Sequence, residues 1–202
     1  MRVEINAQNP QPRLIQQVVT RLKSGAIICY PTDTGYGIGC DIFNPKAIKR
    51  IMLIKHRPKH KPFSFICSDL THISNYAHVS NTAYRLLKKQ LPGPYTFVLP
   101  GTKLVPNVMI TKQKTVGIRV PDNQISQLLI QTLGNPLVNT SLPAEDEPPP
   151  ADPYDIEQLL GTRVDLVIDG GIIVTDPSSV IDLTANLPVI LREGKGDLTP
   201  FR

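Results

Sequence analysis

Hydrophobic residues recur along this chain with two different spacings, which predict helices in some segments and strands in others. Leu14, Val18 and Leu22 are four residues apart, and this spacing places side chains on one face of a helix. The apolar run at residues 26–30, ended by a proline, is instead typical of a buried strand. Helices are predicted over residues 10–23, 44–54, 70–77, 80–91, 123–133 and 154–161. Strands are predicted over residues 26–30, 62–67, 95–99, 115–120, 136–141, 164–168, 179–183 and 188–192.

The order of these segments predicts an α/β fold with a single domain over residues 1–202, built on a twisted, mixed sheet. Some strands follow one another without a helix between them, which a regular doubly wound sheet would not show. A chain of 202 residues can form one substantial core but hardly two. Residues 143–153 are acidic and rich in proline, so they cannot form a helix or a central strand. We interpret them as a mobile loop rather than a domain linker, because the chain beyond them is too short for its own core.

Composition and charge narrow the class of protein. A hydrophobic content of 41% excludes wholesale disorder, and no apolar run approaches the roughly 18 residues that a membrane-spanning helix needs. The start of the chain has no secretory signal, and the three cysteines form no CxxC pair, so we expect free thiols in the cytoplasm. The net charge of +5 fits a nucleic acid, a nucleotide or another polyanionic ligand, and it equally fits a basic protein without such a partner.

The most basic stretch of the chain directly follows the second predicted helix. Lys55, Arg57, Lys59 and Lys61 alternate along it, and a proline after Arg57 and after Lys61 disfavours helical backbone at both residues. Alternate residues of an extended chain share a face, so these cations can form a clamp for a triphosphate or a phosphodiester backbone. A solvated basic loop is the alternative interpretation.

A glycine-rich segment follows the first predicted strand. Its glycines, at positions 35, 37 and 39, match neither a P-loop nor a convincing dinucleotide fingerprint. We therefore predict a tight polar turn beside the sheet, in which Thr34 and Tyr36 offer hydroxyl groups.

Several predicted strands carry polar residues on one face. Alternate positions of a strand share a face, which groups Thr115 with Gly117 and Arg119, Asn139 with Ser141, and Ser178 with Asp182, while Arg192 closes the last strand. An arginine within a strand is costly unless it reaches solvent or an anion, so these faces suggest a concave surface suited to a nucleotide. Neither a GxSxG nor an HExxH motif is present, and we assign no catalytic residue. An enzyme of this kind would act by positioning its reactants and neutralising charge.

Taken together, these segments resemble the YrdC/YciO family of threonylcarbamoyl-AMP synthase domains, and they are closest to its YciO branch. The matching motifs stand in family order over about residues 10–195. They are PTDTGYG at 31–37, KxRPxxKP at 55–62, PGPYT at 92–96, VGIRVP at 116–121, TS at 140–141, SSVIDLT at 178–184 and ILREG at 190–194. The resemblance implies a sheet around a large positively charged cavity. It also implies an enzyme that converts ATP, threonine and bicarbonate into threonylcarbamoyl-AMP and pyrophosphate for the t6A modification of tRNA.

The resemblance also implies roles for individual residues, and it leaves the use of Mg²⁺ open. Threonine would be held by Thr34, Arg119, Ser178 and a backbone contact at Asn139. ATP would be surrounded by Lys55, Arg57, Lys61, Thr115, Ser141 and Arg192. Two departures stand out, because synthases usually have Ser-Ala-Asn where this chain has Ser-Leu-Pro at 141–143, and they often carry a histidine where Ile66 stands.

Two further functions stay open at this point. One is a YciO-type protein that binds double-stranded RNA or tRNA and has little or no synthase activity, although 5% of aromatic residues offer few stacking platforms for bases. The other is a hydrolase or transferase acting on a carbamoylated nucleoside. The oligomeric state does not follow from the sequence.

Overall fold

The computed structural model describes residues 1–56, 63–143 and 148–202, which contain six α-helices and ten strands. The helices are α1 (Pro12–Lys23), α2 (Pro45–Ile54), α3 (Leu70–Tyr76), α4 (Asn81–Gln90), α5 (Gln124–Leu133) and α6 (Pro153–Leu160). The strands are β1 (Arg2–Glu4), β2 (Ile28–Thr32), β3 (Gly35–Gly39), β4 (Ser64–Ile66), β5 (Tyr95–Pro100), β6 (Thr115–Arg119), β7 (Leu137–Ser141), β8 (Leu166–Asp169), β9 (Ser179–Asp182) and β10 (Val189–Arg192).

These ten strands form one mixed sheet in the order β1-β8-β2-β3-β7-β4-β6-β5-β9-β10. Parallel pairs such as β4 with β6 stand beside antiparallel pairs such as β5 with β6. Strand β7 joins the two halves, because it pairs with β3 on one side and with β4 on the other. The predicted α/β fold with a mixed sheet is confirmed.

The helices form where apolar faces and capping residues coincide. In α1, Val18 and Leu22 are buried, as the spacing of four predicted, and Pro12 occupies the first turn, where its missing N–H costs nothing. Asn44 begins α2 by accepting a hydrogen bond from the backbone N–H of Ala47 at 2.9 Å. These local signals explain why the helix boundaries could be predicted closely.

The helices cover the two faces of the sheet unequally. Helices α1 and α5 pack on the face that carries Tyr30 of β2. The larger apolar cluster lies on the opposite face, where Phe97 of β5 and Ile118 of β6 meet residues of α2, α3 and α4. Successive strand residues point to opposite faces, so Thr96 and Arg119 lie on the face of α1 and α5. Both residues line a cavity that opens on this face.

The glycine-rich segment differs from its prediction. It is strand β3, paired with β2, and only Asp33 and Thr34 make the turn between the two strands. Nor does Pro31 end β2, which continues to Thr32. The pairing of β2 with β8 stops at Cys29, so a proline at position 31 removes no N–H that β8 would need.

Two smaller differences concern short or proline-initiated elements. Strand β1 was not predicted, because three residues carry no readable period. Pro153, predicted to lie in the loop, is the first residue of α6, which Asp152 caps by accepting a hydrogen bond from the N–H of Tyr154 at 2.8 Å. Residues 144–147 of the predicted loop lie outside the described residues.

The three cysteines lie deep in the sheet. Cys29, Cys40 and Cys67 are free thiols with no exposed surface, and burial raises the pKa of each well above its ordinary value. Over the described parts of the chain, no helix has the length and apolar character needed to cross a membrane.

Candidate ligand-binding cavity

A cavity of about 550 Å³ opens on the sheet face that carries Thr96 and Arg119. Its floor and walls include residues of strands β2 to β7 and β9, of the turn before β3 and of the segment before β9, together with Arg192 of β10. The residues predicted to bind ligands that line it are Thr34, Thr115, Arg119, Asn139, Ser141, Ser178 and Arg192. Among the described lining residues, the two that carry a charge are both arginines.

Lys55 is the one described residue of the predicted set that does not line the cavity. Its Nζ donates a hydrogen bond to the carbonyl oxygen of Leu142 at 2.8 Å, and Leu142 does line the cavity. Lys55 therefore contacts a residue of the cavity wall through that residue's backbone. Arg57, Lys59 and Lys61 of the predicted clamp lie outside the described residues.

Arg119 is the most deeply buried charge of the cavity. Its Nη2 donates to Oδ1 of Asp33 and to Oγ1 of Thr34, both at 2.8 Å, and its side chain is 7% exposed. Burial lowers the pKa of the guanidinium, while the carboxylate of Asp33 acts in the opposite direction. An arginine starts from so high a pKa that it stays charged at neutral pH. Arg119 thus offers a fixed positive charge that is itself largely shielded from water.

Arg192 and Ser178 contact each other directly across the edge of the cavity. The Nε and Nη2 atoms of Arg192 donate to the carbonyl oxygen of Ser178, at 3.0 and 2.7 Å, and Nη2 also lies 3.1 Å from Oγ of Ser178. The same Oγ shares a 2.8 Å hydrogen bond with Thr96. Two residues that the family resemblance assigns to different ligands are therefore physically joined.

Asn139 is held from two sides. The hydroxyl of Tyr30, which is fully buried, donates to Oδ1 of Asn139 at 2.8 Å. Oγ of Ser64 donates to the backbone carbonyl of Asn139 at 3.1 Å. Gly37 makes room for this arrangement, because a Cβ at that position would lie 2.7 Å from Oδ1 of Asn139. These contacts hold Asn139 in one orientation within the cavity wall.

Several residues of the cavity were not predicted from the sequence. Hydroxyl side chains that line it without having been assigned a role are Thr32, Ser64, Thr96, Thr111, Thr140 and Thr175. The alternation in β5 could have indicated Thr96, because its neighbours Tyr95 and Phe97 are both core residues. Asp33 was missed as the partner of Arg119, since nothing in a single sequence connects two residues 86 positions apart.

Metal-ligating side chains (histidine, cysteine, aspartate or glutamate) form no cluster of three or more that could hold a metal ion in the described parts of the chain. The chemistry that this part of the cavity offers is cationic and rich in hydroxyl groups.

Comparisons with known proteins converge on one family. The Sua5/YciO/YrdC family model, which is described as telomere recombination, matches residues 20–194. An uncharacterized protein of Haemophilus influenzae is 47% identical over 98% of this chain and 97% of its own length. A threonylcarbamoyl-AMP synthase of Vibrio vulnificus is 31% identical over 89% of this chain and 98% of its own length.

Solved structures give the same result. The crystal structure of Escherichia coli YciO superposes with a TM-score of 0.94 at 45% identity, covering 100% of this chain and 99% of that one. The structure of P. abyssi Sua5 in complex with L-threonine superposes with a TM-score of 0.88 at 28% identity. It covers 96% of this chain but only 57% of the Sua5 chain, which is longer.

Proposed function

The chain belongs to the Sua5/YciO/YrdC family, and from this premise we propose that its cavity binds ATP and L-threonine and forms threonylcarbamoyl-AMP. One observation carries the proposal. Of the eight described residues to which the family resemblance gives a ligand, seven line the same cavity, although they are spread from position 34 to position 192. The relatives that are named as synthases and the relative solved with L-threonine support the same substrates.

The proposed reaction needs no nucleophile from the protein. The amine of threonine takes up bicarbonate with loss of water, which gives a carbamate. An oxygen of the carbamate then attacks the α-phosphorus of ATP, and the bond from that phosphorus to the bridging oxygen breaks to release pyrophosphate. The protein has to hold two anionic reactants together and to stabilise the charge that develops on the pyrophosphate. Arg119 and Arg192 supply positive charge within one cavity for this purpose.

In this proposal, Arg119 binds the carboxylate of threonine. Nη2 of the guanidinium already donates to Asp33 and Thr34 and Nε is buried, so Nη1 is the nitrogen left to bind the carboxylate, and the hydroxyl of Thr34 lies beside it to hydrogen-bond the same ligand. Mg²⁺, if it takes part, would enter with the phosphates of ATP, which are its usual ligands in such sites.

The Ser141-Leu142-Pro143 segment is where this chain departs from a typical synthase. Leu142 is 2% exposed and its carbonyl is held by Lys55, so the backbone of this segment is fixed although the side-chain amide is missing. We propose that Ser141 and the backbone take over part of the nucleotide contact. A YciO-type binding protein without turnover is the alternative that an absence of activity would favour.

The first prediction concerns Arg119→Lys. Lysine keeps the charge but has a single donor nitrogen, so it cannot contact Asp33 and Thr34 with one nitrogen and present a second to the carboxylate, and threonine-dependent pyrophosphate release should fall by at least roughly tenfold. ATP affinity should be nearly unchanged, because the residue is assigned to threonine. The measurement is pyrophosphate release with and without threonine and bicarbonate, together with calorimetry for ATP.

Arg50→Lys is the matched control, because Arg50 pairs with Asp165 away from the cavity. It should leave the rate as in the unmodified protein. No threonine-dependent release from the unmodified protein would refute the synthase proposal, and equal rates for Arg119→Lys would remove Arg119 from the threonine site.

A further inference from the structure

Arg192 lies on a strand whose geometry is locally altered. Strand β10 pairs antiparallel with β9, and its register shifts between Ile190 and Arg192, so that Arg192 pairs with Val180. Such an irregularity turns the side chains of a strand in a new direction. Here it coincides with the placement of the guanidinium against Ser178, just before the start of β9.

The chain after β10 keeps this arrangement in place. The backbone N–H of Lys195 donates to the carbonyl oxygen of Pro177 at 2.8 Å. Gly194 packs so closely that a Cβ there would lie 2.2 Å from the same oxygen. The backbone around Ser178 and the end of β10 are therefore packed against each other, and the contact between Arg192 and Ser178 does not depend on a long, free side chain reaching across solvent.

The guanidinium of Arg192 divides its donors between two tasks. A guanidinium has five N–H groups, one on Nε and two on each Nη. The three N–H groups of Nε and Nη2 match the three contacts to Ser178, two with its carbonyl oxygen and one with its hydroxyl. Among the described residues, the two N–H groups of Nη1 have no such contact, and Arg192 lies at the exposed rim of the cavity. A phosphate can therefore bind Nη1 while the contacts to Ser178 persist.

We propose that Arg192 is a positioning residue that couples the nucleotide subsite to the amino-acid subsite through Ser178. The inference rests on the proposed function, because it takes ATP and threonine as the two ligands. A phosphate bound to Nη1 immobilises the guanidinium, which in turn holds the Ser178 carbonyl and hydroxyl in the orientation that the amino acid meets. The second ligand then binds a site that is already ordered, so its binding costs less conformational entropy. The two ligands therefore bind with positive cooperativity.

Calorimetry with α,β-methylene-ATP, which cannot release pyrophosphate, tests the coupling without turnover. In the unmodified protein, L-threonine should bind at least about fivefold more tightly when the analogue is saturating, the lower end of typical coupling between sites. By linkage, the analogue should bind more tightly by the same factor when threonine is saturating.

Arg192→Lys separates positioning from simple charge. Lysine keeps one positive charge but cannot make the forked contact to the Ser178 carbonyl, so the coupling factor should fall towards one even at saturating analogue. If Arg192 only attracted phosphate, its substitution would weaken binding of the analogue and leave the coupling factor unchanged.

Ser178→Ala keeps the carbonyl, so it should weaken threonine binding while most of the coupling remains. Arg202→Lys, at an exposed arginine paired with Glu193, is the control and should change neither quantity.

The outcomes distinguish this inference from the function on which it rests. Independent binding of both ligands to the unmodified protein would overturn the coupling and leave the proposed function standing. An unchanged coupling factor in Arg192→Lys would show that the coupling exists but does not pass through Arg192, which also overturns the inference. If the unmodified protein binds neither ligand, both the inference and the proposed function fail.

Discussion

The guanidinium of Arg119 is buried, and the carboxylate of Asp33 offsets part of the cost of removing its charge from water. The two side chains are 7% and 9% exposed and meet at 2.8 Å. Nε of Arg119 and Oδ2 of Asp33 are both buried without a hydrogen-bond partner among the described residues. Buried polar atoms are nearly always paired, so this ion pair is incompletely satisfied within the described part of the chain.

A stability prediction follows for Asp33→Ala. It leaves the Arg119 charge buried without its partner, which typically costs about 3–5 kcal/mol of unfolding free energy. Adding Arg119→Met should restore part of that loss, because the uncompensated charge is then gone. Urea unfolding of the two single variants and the double variant measures the coupling. Losses that simply add in the double variant would mean that the pair contributes no interaction of its own.

At the residue level, part of the cavity lining could be predicted because strand geometry is periodic. The grouping of Thr115 with Arg119 and of Asn139 with Ser141 needs only the alternation of faces, and all four residues line the cavity. The contacts between Arg192 and Ser178 and between Lys55 and Leu142 could not be predicted. They depend on a register shift and on the packing of chain segments that lie far apart in sequence.

Among the elements, β3 shows how a glycine pattern can be misinterpreted. Three glycines on alternate positions indicated a turn, yet they lie in strand β3, whose backbone packs closely against neighbouring residues. A Cβ on Gly39 would approach the carbonyl oxygen of Val138 in β7 to 2.1 Å and Cε1 of Tyr30 to 2.9 Å. The glycines are needed because of what packs against them, and a single sequence does not show those neighbours.

Gly39→Ala should therefore be costly, by about 1–3 kcal/mol of unfolding free energy or more, since a backbone atom of β7 has to move. Gly117→Ala is the comparison within the same sheet. Its Cβ would meet Cβ of Ser64 at 3.3 Å, a contact that a small shift can relieve. We expect a clearly smaller loss of stability there, measured by thermal and urea unfolding. Equal losses in the two variants would show that the approach of β7 to β3 does not limit the packing.

For the molecule as a whole, the fold class could be predicted, but the order of the strands could not. The spacing of apolar residues determines which segments form helices and which form strands. The described helices begin and end close to their predicted bounds. The neighbours of each strand depend on contacts between distant segments. Placing β7 between β3 and β4, which brings Ser141 opposite Gly37 and Asn139 opposite Ser64, is one such outcome.

The three buried cysteines can be used to measure how fast the sheet opens. A thiol reacts with an alkylating reagent only as a thiolate that the reagent can reach, and in the folded protein Cys29, Cys40 and Cys67 meet neither condition. Each modification therefore marks a moment at which the strands around that cysteine have separated. Cys67 lies next to the cavity, because its N–H donates to the carbonyl of Arg119 at 2.8 Å.

Mass spectrometry of the chain after timed exposure to iodoacetamide should show half-times far longer than in urea. Saturating ATP analogue and threonine should lengthen the half-time of Cys67 if the ligands bind only the closed sheet. Rapid modification of Cys67 in the native protein would show that the cavity floor opens on its own. The elapsed time before the thiols are modified thus reports how long the surface around the cavity stays assembled.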